Sequence, residues 1–176
     1  MITIVSFSGR QGGNCGRIAA FIRELTGENT EIFDFSAQTM HPCGGCRYEC
    51  FQEGMACPYI DDGEYGLLDA ITHSDCVYFV IPNYCDYPCA NFFIFNERSQ
   101  CYFQNHPERL EAYEAVPKKC VVISNSGQEN FEQALAYHGN AELLVLSAKR
   151  FRRNSVAGDL MEEPQVRELL EIFCKA

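Results

Sequence analysis

Residues 2–15 read Ile2-Thr3-Ile4-Val5-Ser6-Phe7-Ser8-Gly9-Arg10-Gln11-Gly12-Gly13-Asn14-Cys15, an apolar run that passes directly into a glycine-rich loop. The run is apolar almost throughout, as a β-strand covered on both faces requires. After the loop, apolar residues recur at helical spacing, and Gly27 ends the pattern. A strand, a glycine-rich loop and a helix in succession are typical of an α/β unit.

The same alternation of strand and helix continues along the whole chain. Five apolar runs predict strands at Ile2–Phe7, Glu31–Phe35, Cys76–Ile81, Cys120–Ser124 and Leu143–Leu146. Helical patterns separate or follow them, the third running from Ala90 to about Phe103 and the last from Pro164. This pattern predicts one α/β domain over residues 1–176, a three-layer sandwich whose five-stranded parallel sheet has the order 2-1-3-4-5.

Composition narrows the classes of function. A formal net charge of -10 argues against nucleic-acid binding, which needs Lys and Arg to neutralise phosphates. No apolar run reaches membrane-spanning length, and the N-terminal run is too short for a signal peptide. The 11 cysteines are an odd number and fall short of a disulfide-scaffold composition. We therefore expect a reducing, cytoplasmic compartment with no membrane partner.

A cysteine-rich segment interrupts the alternation at about residues 41–62. Cys43, Cys46, Cys50 and Cys57 have the spacing C-x2-C-x3-C-x6-C, and Gly44 allows the sharp turn that two ligands of one metal need. Four soft thiolate ligands suit a [4Fe–4S] cluster or a structural zinc ion. An ordered loop of free thiols is the third interpretation.

The remaining unusual residues follow the predicted strands. In a parallel α/β sheet, ligands bind beyond the carboxyl ends of the strands. The loop Ser8–Cys15 opens a helix, whose N-terminus favours an anion, and Ser8 and Arg10 can donate to phosphate oxygens. A plain glycine-rich turn is the alternative. The segments 82–87 and 124–127 follow the third and fourth predicted strands and face the same edge of the sheet.

Several of these segments, taken together, resemble one family, and residues 124–127 occupy the place of its small-residue turn against the isoalloxazine. The first loop resembles the G-S-x-R-x-x-G-N-[ST] phosphate loop of flavodoxin-like NAD(P)H-dependent FMN reductases. Residues 81–90 are similar to the S-P-x-Y-x-G-x-x-S-A loop of that family, which embraces the flavin ring, and residues 95–98 to its F-x-x-R helix ending. The cysteine segment resembles the motif of the related iron–sulfur flavoproteins.

The resemblance implies a flavodoxin-like fold, FMN as cofactor, NAD(P)H as electron donor, and a homodimer or homotetramer. It leaves the catalytic side chains unassigned. The residues that it assigns to the phosphate are Ser8, Arg10, Gly13, Asn14 and Cys15. Those assigned to the ring system are Pro82, Asn83, Tyr84, Cys85, Asp86, Tyr87, Ser124, Asn125, Ser126 and Gly127.

Three positions depart from the family pattern. Cys15 replaces a hydroxyl that would donate to phosphate, and a helix N-terminus tends to lower the pKa of a thiol, so that a thiolate there would repel the anion. Asp86 stands at a glycine position and is expected to point to solvent. Three residues rather than two separate Cys46 from Cys50.

Three functions remain open. The first is an iron–sulfur flavoprotein that relays electrons through FMN and the four cysteines to a small acceptor or redox protein. The second is a cluster-free NAD(P)H-dependent reductase of free FMN, quinones or another small acceptor, in which the chain positions the flavin. The third is a flavodoxin-like module without enzymatic activity, which the substitutions at Cys15 and Asp86 favour.

Overall fold

The computed structural model describes residues 1–126, 128–139 and 141–175. Its strands are β1 (Ile2–Ser6), β2 (Thr30–Asp34), β3 (Cys76–Tyr84), β4 (Tyr87–Pro88), β5 (Lys118–Ser124) and β6 (Ala141–Ser147). Its α-helices are α1 (Asn14–Thr26), α2 (Gly63–Thr72), α3 (Ala90–Phe103), α4 (Pro107–Ala115), α5 (Glu129–Leu135) and α6 (Pro164–Lys175).

The five long strands form one parallel sheet in the order β2-β1-β3-β5-β6. Counted without the two-residue strand β4, this is the predicted order 2-1-3-4-5, so the predicted fold class is confirmed. Strand β4 pairs antiparallel with the end of β3. The sheet reverses its direction of winding between β1 and β3, and a ligand site is expected at that point.

Successive residues of β1 pack on opposite faces of the sheet. Ile4 belongs to a core formed with α1 and α6, whereas Val5 belongs to a core formed with α2, α3, α4 and α5. Both side chains are fully buried. Helices therefore cover both faces, which explains why the strands are apolar on both sides.

Two elements were not predicted from the sequence. Helix α4 has a single buried residue, Tyr113, among charged neighbours, so its apolar pattern is too weak to identify a helix. Strand β3 continues beyond Ile81 to Tyr84, because β4 folds back onto its end. None of the helices that the structure describes is long and apolar enough to cross a membrane.

Candidate functional site

A cleft of about 690 Å³ lies at the carboxyl ends of β1, β3 and β5. Of the residues predicted from the sequence, the cleft brings together Ser8, Arg10, Gly13, Asn14, Cys15, Pro82, Asn83, Tyr84 and Asn125. Its lining does not include Cys85, Asp86, Tyr87, Ser124 or Ser126, and Gly127 lies outside the described residues. The role of each residue in binding FMN stays a prediction.

The loop before α1 leaves the start of that helix open to an anion. Gly13 caps the helix in an extended conformation without a side-chain hydrogen bond, and the first turn of α1 carries no acidic residue. Gly12 has a φ of +64°, which favours glycine. A Cβ atom on Gly13 would approach the carbonyl oxygen of Arg10 to 3.2 Å, so a side chain there would require the loop to shift by a few tenths of an ångström. Both glycines therefore serve the loop's shape.

Asn14 does more than line the cleft. Its Nδ2 donates to the carbonyl oxygen of Val156 at 2.9 Å, and its Oδ1 accepts from the backbone N–H of Leu160 at 3.0 Å. Residues 155–160, here called the covering segment, thus lie against the phosphate loop, and residues 155–159 line the cleft. The sequence did not indicate this contact, and Asn14 holds protein where the resemblance assigned it to phosphate.

Cys15 lies at the start of α1 and is only 3% exposed. Burial is the main cause that raises the pKa of its thiol to about 12, and the nearby Cys89 and Asp34 act in the same direction. The expected lowering by the helix N-terminus is outweighed, since burial disfavours the charged thiolate. The side chain is therefore a neutral thiol at ordinary pH, and the predicted repulsion of phosphate does not arise.

We expect Cys15→Ser to tighten FMN binding by about 0.5–1.5 kcal/mol, because a hydroxyl is a better donor than a thiol. The gain should be the same from about pH 6 to about pH 9, since the thiol does not ionise in that range. Fluorescence titration of FMN at several pH values measures it. A gain that grows with pH would show that the thiol ionises, and weaker binding throughout would show a site adapted to sulfur.

The end of β3 and the whole of β4 form a hairpin beside the cleft. Tyr84 pairs with Tyr87, and the two turn residues, Cys85 and Asp86, have φ of 51° and 69°. Two positive φ angles indicate a type I′ turn, in which glycine and asparagine are preferred. Asp86 is half-buried and accepts from Asn130 Nδ2 on α5 at 3.4 Å, so the expectation that it points to solvent is wrong.

Ser124 joins the ends of two strands from beneath the cleft. Asn83 Nδ2 donates to Ser124 Oγ at 3.0 Å, and the N–H of Ser126 donates to the same oxygen at 3.1 Å. Ser124 is fully buried. Its position fits support of the cleft floor, and its contact with the flavin stays a prediction. Asn83 and Asn125 line the cleft at these strand ends.

Helix α3 holds the cysteine-rich segment through two consecutive residues. The backbone N–H of Cys43 donates to Glu97 Oε1 at 2.7 Å. Arg98 donates to the carbonyl oxygens of His41 at 2.7 Å and of Tyr59 at 3.2 Å. Sequence reasoning missed this role of Arg98, although the F-x-x-R ending marked the residue.

The four predicted metal ligands, all among the described residues, are not arranged as a metal site. Cys43 is exposed, Cys57 is buried, and the thiols of Cys50 and Cys57 lie beside that of Cys101 on α3, which the sequence did not single out. Among the described residues, which include all of 41–62, no three or more Cys, His, Asp or Glu side chains are arranged to hold a metal ion. The arrangement thus gives no support to the cluster or the zinc site.

Comparison with known proteins found similar structures but no match to a family model or to a curated protein. Solved structures match over nearly the full length. The Trp repressor binding protein from Bacillus subtilis is 12% identical with a TM-score of 0.65, covering 98% of this chain and 97% of its own.

Two further structures are of flavoenzymes by name. FerB, a flavoenzyme NAD(P)H:(acceptor) oxidoreductase from Paracoccus denitrificans, is 14% identical with a TM-score of 0.58, covering 99% of this chain and 94% of its own. An NADH:FMN oxidoreductase in its apo form is 11% identical with a TM-score of 0.52, and the match covers 99% of this chain and 88% of that protein. At such identities the likeness shows the fold alone, and this chain has the flavodoxin-like fold.

Proposed function

We propose that this chain is an FMN-dependent oxidoreductase that passes electrons from NAD(P)H to a small acceptor such as a free flavin or a quinone. One observation carries the proposal: the cleft joins the glycine-rich loop after β1 to the β3–β4 hairpin and the loop after β5. The open start of α1, the polar side chains of Asn83 and Asn125 and the aromatic side chain of Tyr84 occur there together. The names of the flavoenzymes that share the fold support the same class.

FMN, when bound, supplies the chemistry of taking up a hydride and passing on its electrons. The chain's part is to bind and orient it. The open start of α1 and the exposed guanidinium of Arg10 suit the phosphate, and Pro82, Asn83 and Tyr84 suit the ring. No electron-transfer step is assigned to the four cysteines of the segment 41–62.

A homodimer or homotetramer is part of the proposal. Tyr84 and Tyr87, which pair across the hairpin, are 55% and 51% exposed, and Phe93 on α3 is 44% exposed. Large aromatic side chains are enriched at protein interfaces. All eleven cysteines are free, which supports the cytoplasm as the proposed compartment.

Replacement of Arg10 by alanine is expected to weaken FMN binding by about 1.5–3 kcal/mol, the scale of a hydrogen bond to a charged group. Arg23→Ala, which removes an exposed arginine near the other end of α1, is the matched control and should change nothing. Isothermal titration with FMN measures both. Equal affinity for the wild type and the Arg10 variant would place the phosphate elsewhere.

The activity itself needs a separate experiment. Protein loaded with FMN should oxidise NADH or NADPH in the absence of oxygen, followed by loss of absorbance of the nicotinamide and of the flavin. Saturable FMN binding without oxidation of either nicotinamide would favour the module without enzymatic activity. An absorption spectrum of anaerobically purified protein, with iron and sulfide analysis, tests the iron–sulfur alternative at the same time.

A further inference from the structure

Three thiols meet where the cysteine-rich segment packs against α3. The thiol of Cys101 on α3 lies within hydrogen-bonding reach of the thiols of Cys50 and Cys57, which belong to the segment. All three cysteines are free, and we call them the thiol cluster. Cys57 and Cys101 are buried, whereas Cys50 is half-buried. Cys50 is therefore the member of the cluster that a small molecule in solvent can reach.

The hydrogen bonds of α3 independently place Cys101 on the face that carries the segment. Glu97 accepts from the backbone N–H of Cys43. Arg98 donates to the carbonyl oxygen of His41. Residues three and four positions apart lie on the same face of an α-helix. Cys101 follows Arg98 and Glu97 at these two spacings, so its side chain is directed to the same segment.

Cys50 lies in a single turn of 3₁₀ helix that the segment's own hydrogen bonds fix. The backbone N–H of Phe51 donates to the carbonyl oxygen of Tyr48 at 3.0 Å. The side chain of Gln52 donates to the carbonyl oxygen of Arg47 at 2.9 Å. A bond from Cys50 to a neighbouring sulfur would therefore cost little additional loss of chain freedom, because the turn is already ordered.

The thiol cluster suits a disulfide rather than a metal ion. Over the described part of the chain, no three Cys, His, Asp or Glu side chains are arranged as metal ligands. A disulfide needs only two adjacent sulfurs, one of which an oxidant can reach. The pair of Cys50 and Cys101 meets both conditions, whereas Cys57 and Cys101 are both buried.

We propose that Cys50 and Cys101 form a reversible disulfide that links the cysteine-rich segment to α3 under oxidising conditions. The bond is absent in a reducing compartment and forms when small-molecule disulfides accumulate. None of the three cysteines of the cluster lines the cleft, so the proposal does not depend on the proposed function.

The oxidant in this reaction is a small-molecule disulfide. The thiol of Cys50 loses its proton and attacks one sulfur of the oxidant, whose S–S bond breaks, and one half leaves as a thiolate that takes up a proton. The thiol of Cys101 then loses its proton and attacks the sulfur of Cys50, and the second half leaves in the same way. Two protein thiols are oxidised, and one small disulfide is reduced to two thiols.

The test equilibrates the protein with mixtures of reduced and oxidised glutathione, traps the free thiols by alkylation and identifies linked peptides by mass spectrometry. In the wild type, the link between Cys50 and Cys101 should be the main disulfide of the cluster, and excess reduced glutathione should remove it. Cys85, which is exposed, should carry glutathione in every variant and shows that the reagent is active.

Three serine variants separate the partners. Cys101→Ser should leave Cys50 as a mixed disulfide with glutathione, because the second thiol is missing. In Cys50→Ser, the thiol of Cys101 should stay free, because it is buried and has lost its accessible partner. Cys57→Ser is the matched control from the same cluster and should keep the link in the wild-type yield.

The link should also change unfolding. A cross-link restricts the unfolded chain, so the oxidised wild type should unfold at a higher urea concentration than the reduced wild type. Cys101→Ser should show no such rise, although its accessible thiols still react with glutathione. The comparison therefore separates the specific link from general modification of the surface.

Two results would overturn the proposal. One is a wild type in which Cys50 carries only glutathione or is linked to any cysteine other than Cys101. The other is a rise of the urea midpoint on oxidation that is as large in Cys101→Ser as in the wild type. If a serine variant does not fold, as judged by circular dichroism, the peptide map of the wild type decides alone.

Discussion

Arg98→Ala should lower the free energy of unfolding by about 3–5 kcal/mol, the usual effect of removing one partner from a buried ion pair. The side chain is 1% exposed and donates to both carboxylate oxygens of Asp62, at 2.7 and 3.3 Å. Its loss would remove the charged partner of Asp62, which keeps two backbone N–H donors, and would take this donor from the carbonyl oxygens of His41 and Tyr59. The cysteine-rich segment would then lose its main attachment to α3.

Urea denaturation followed by circular dichroism measures the change. Arg98→Lys keeps the charge but not the planar fork of donors, so it should recover only part of the stability. Arg47→Ala, which removes an exposed arginine of the same segment, is the control and should change the unfolding free energy by less than about 0.5 kcal/mol. Equal midpoints for the Arg98 and Arg47 variants would show that Arg98 does not anchor the segment.

Glu64 should make the protein less stable as the pH rises from about 6.5 to about 8. The side chain is fully buried, and burial raises the pKa of its carboxyl from 4.5 to about 8 although Arg98 Nε lies 3.4 Å away. A carboxyl whose folded pKa is raised contributes stability that is complete below pH 4.5 and is lost as the pH approaches the folded pKa. The loss is at most about 1.4 kcal/mol per pH unit, or about 2 kcal/mol over this window.

The lower limit of this pH window is set by a second buried group, His138. Burial lowers the pKa of His138 from 6.5 to about 4, so stability from this residue rises with pH only up to 6.5. Above pH 6.5, the loss of stability caused by Glu64 is no longer opposed by a gain from His138. Glu64→Gln keeps the shape and cannot ionise, so urea midpoints of this variant should stay level between about pH 6.5 and about pH 8. Parallel slopes for the wild type and the variant would contradict the assignment.

The layers of the fold could be predicted because their signal is local. Strand β5 is buried from end to end, and its residues 120–123 form an apolar run, while α3 has the predicted bounds. Helix α4 could not be recognised, since it rests on the core through Tyr113 while its other residues face outward or lie half-buried. Tertiary contact rather than apolar periodicity keeps that helix in place.

The candidate site could be predicted from the sequence only in loops whose own residue types indicate a ligand. The glycine-rich loop and the β3 loop have recognisable residue types, and nine of the predicted residues meet in the cleft. The covering segment was missed because hydrogen bonds to the backbone of Val156 leave no pattern in the sequence. Burial also reversed the expected pKa of Cys15, a property that depends on neighbours from distant segments.

The distance in sequence between the two sides of the cleft has a consequence for synthesis. Asn14 and Leu160, which are hydrogen-bonded, lie 146 residues apart. A ribosome adds roughly 5–20 residues each second, so the phosphate loop is synthesised many seconds before the covering segment. During that interval the growing chain has an incomplete pocket, and a cofactor bound at this loop would not be in contact with the covering segment. Closure of the pocket therefore has to await the synthesis of residues 155–160, and a nascent chain stalled before residue 155 would lack this side of the cleft.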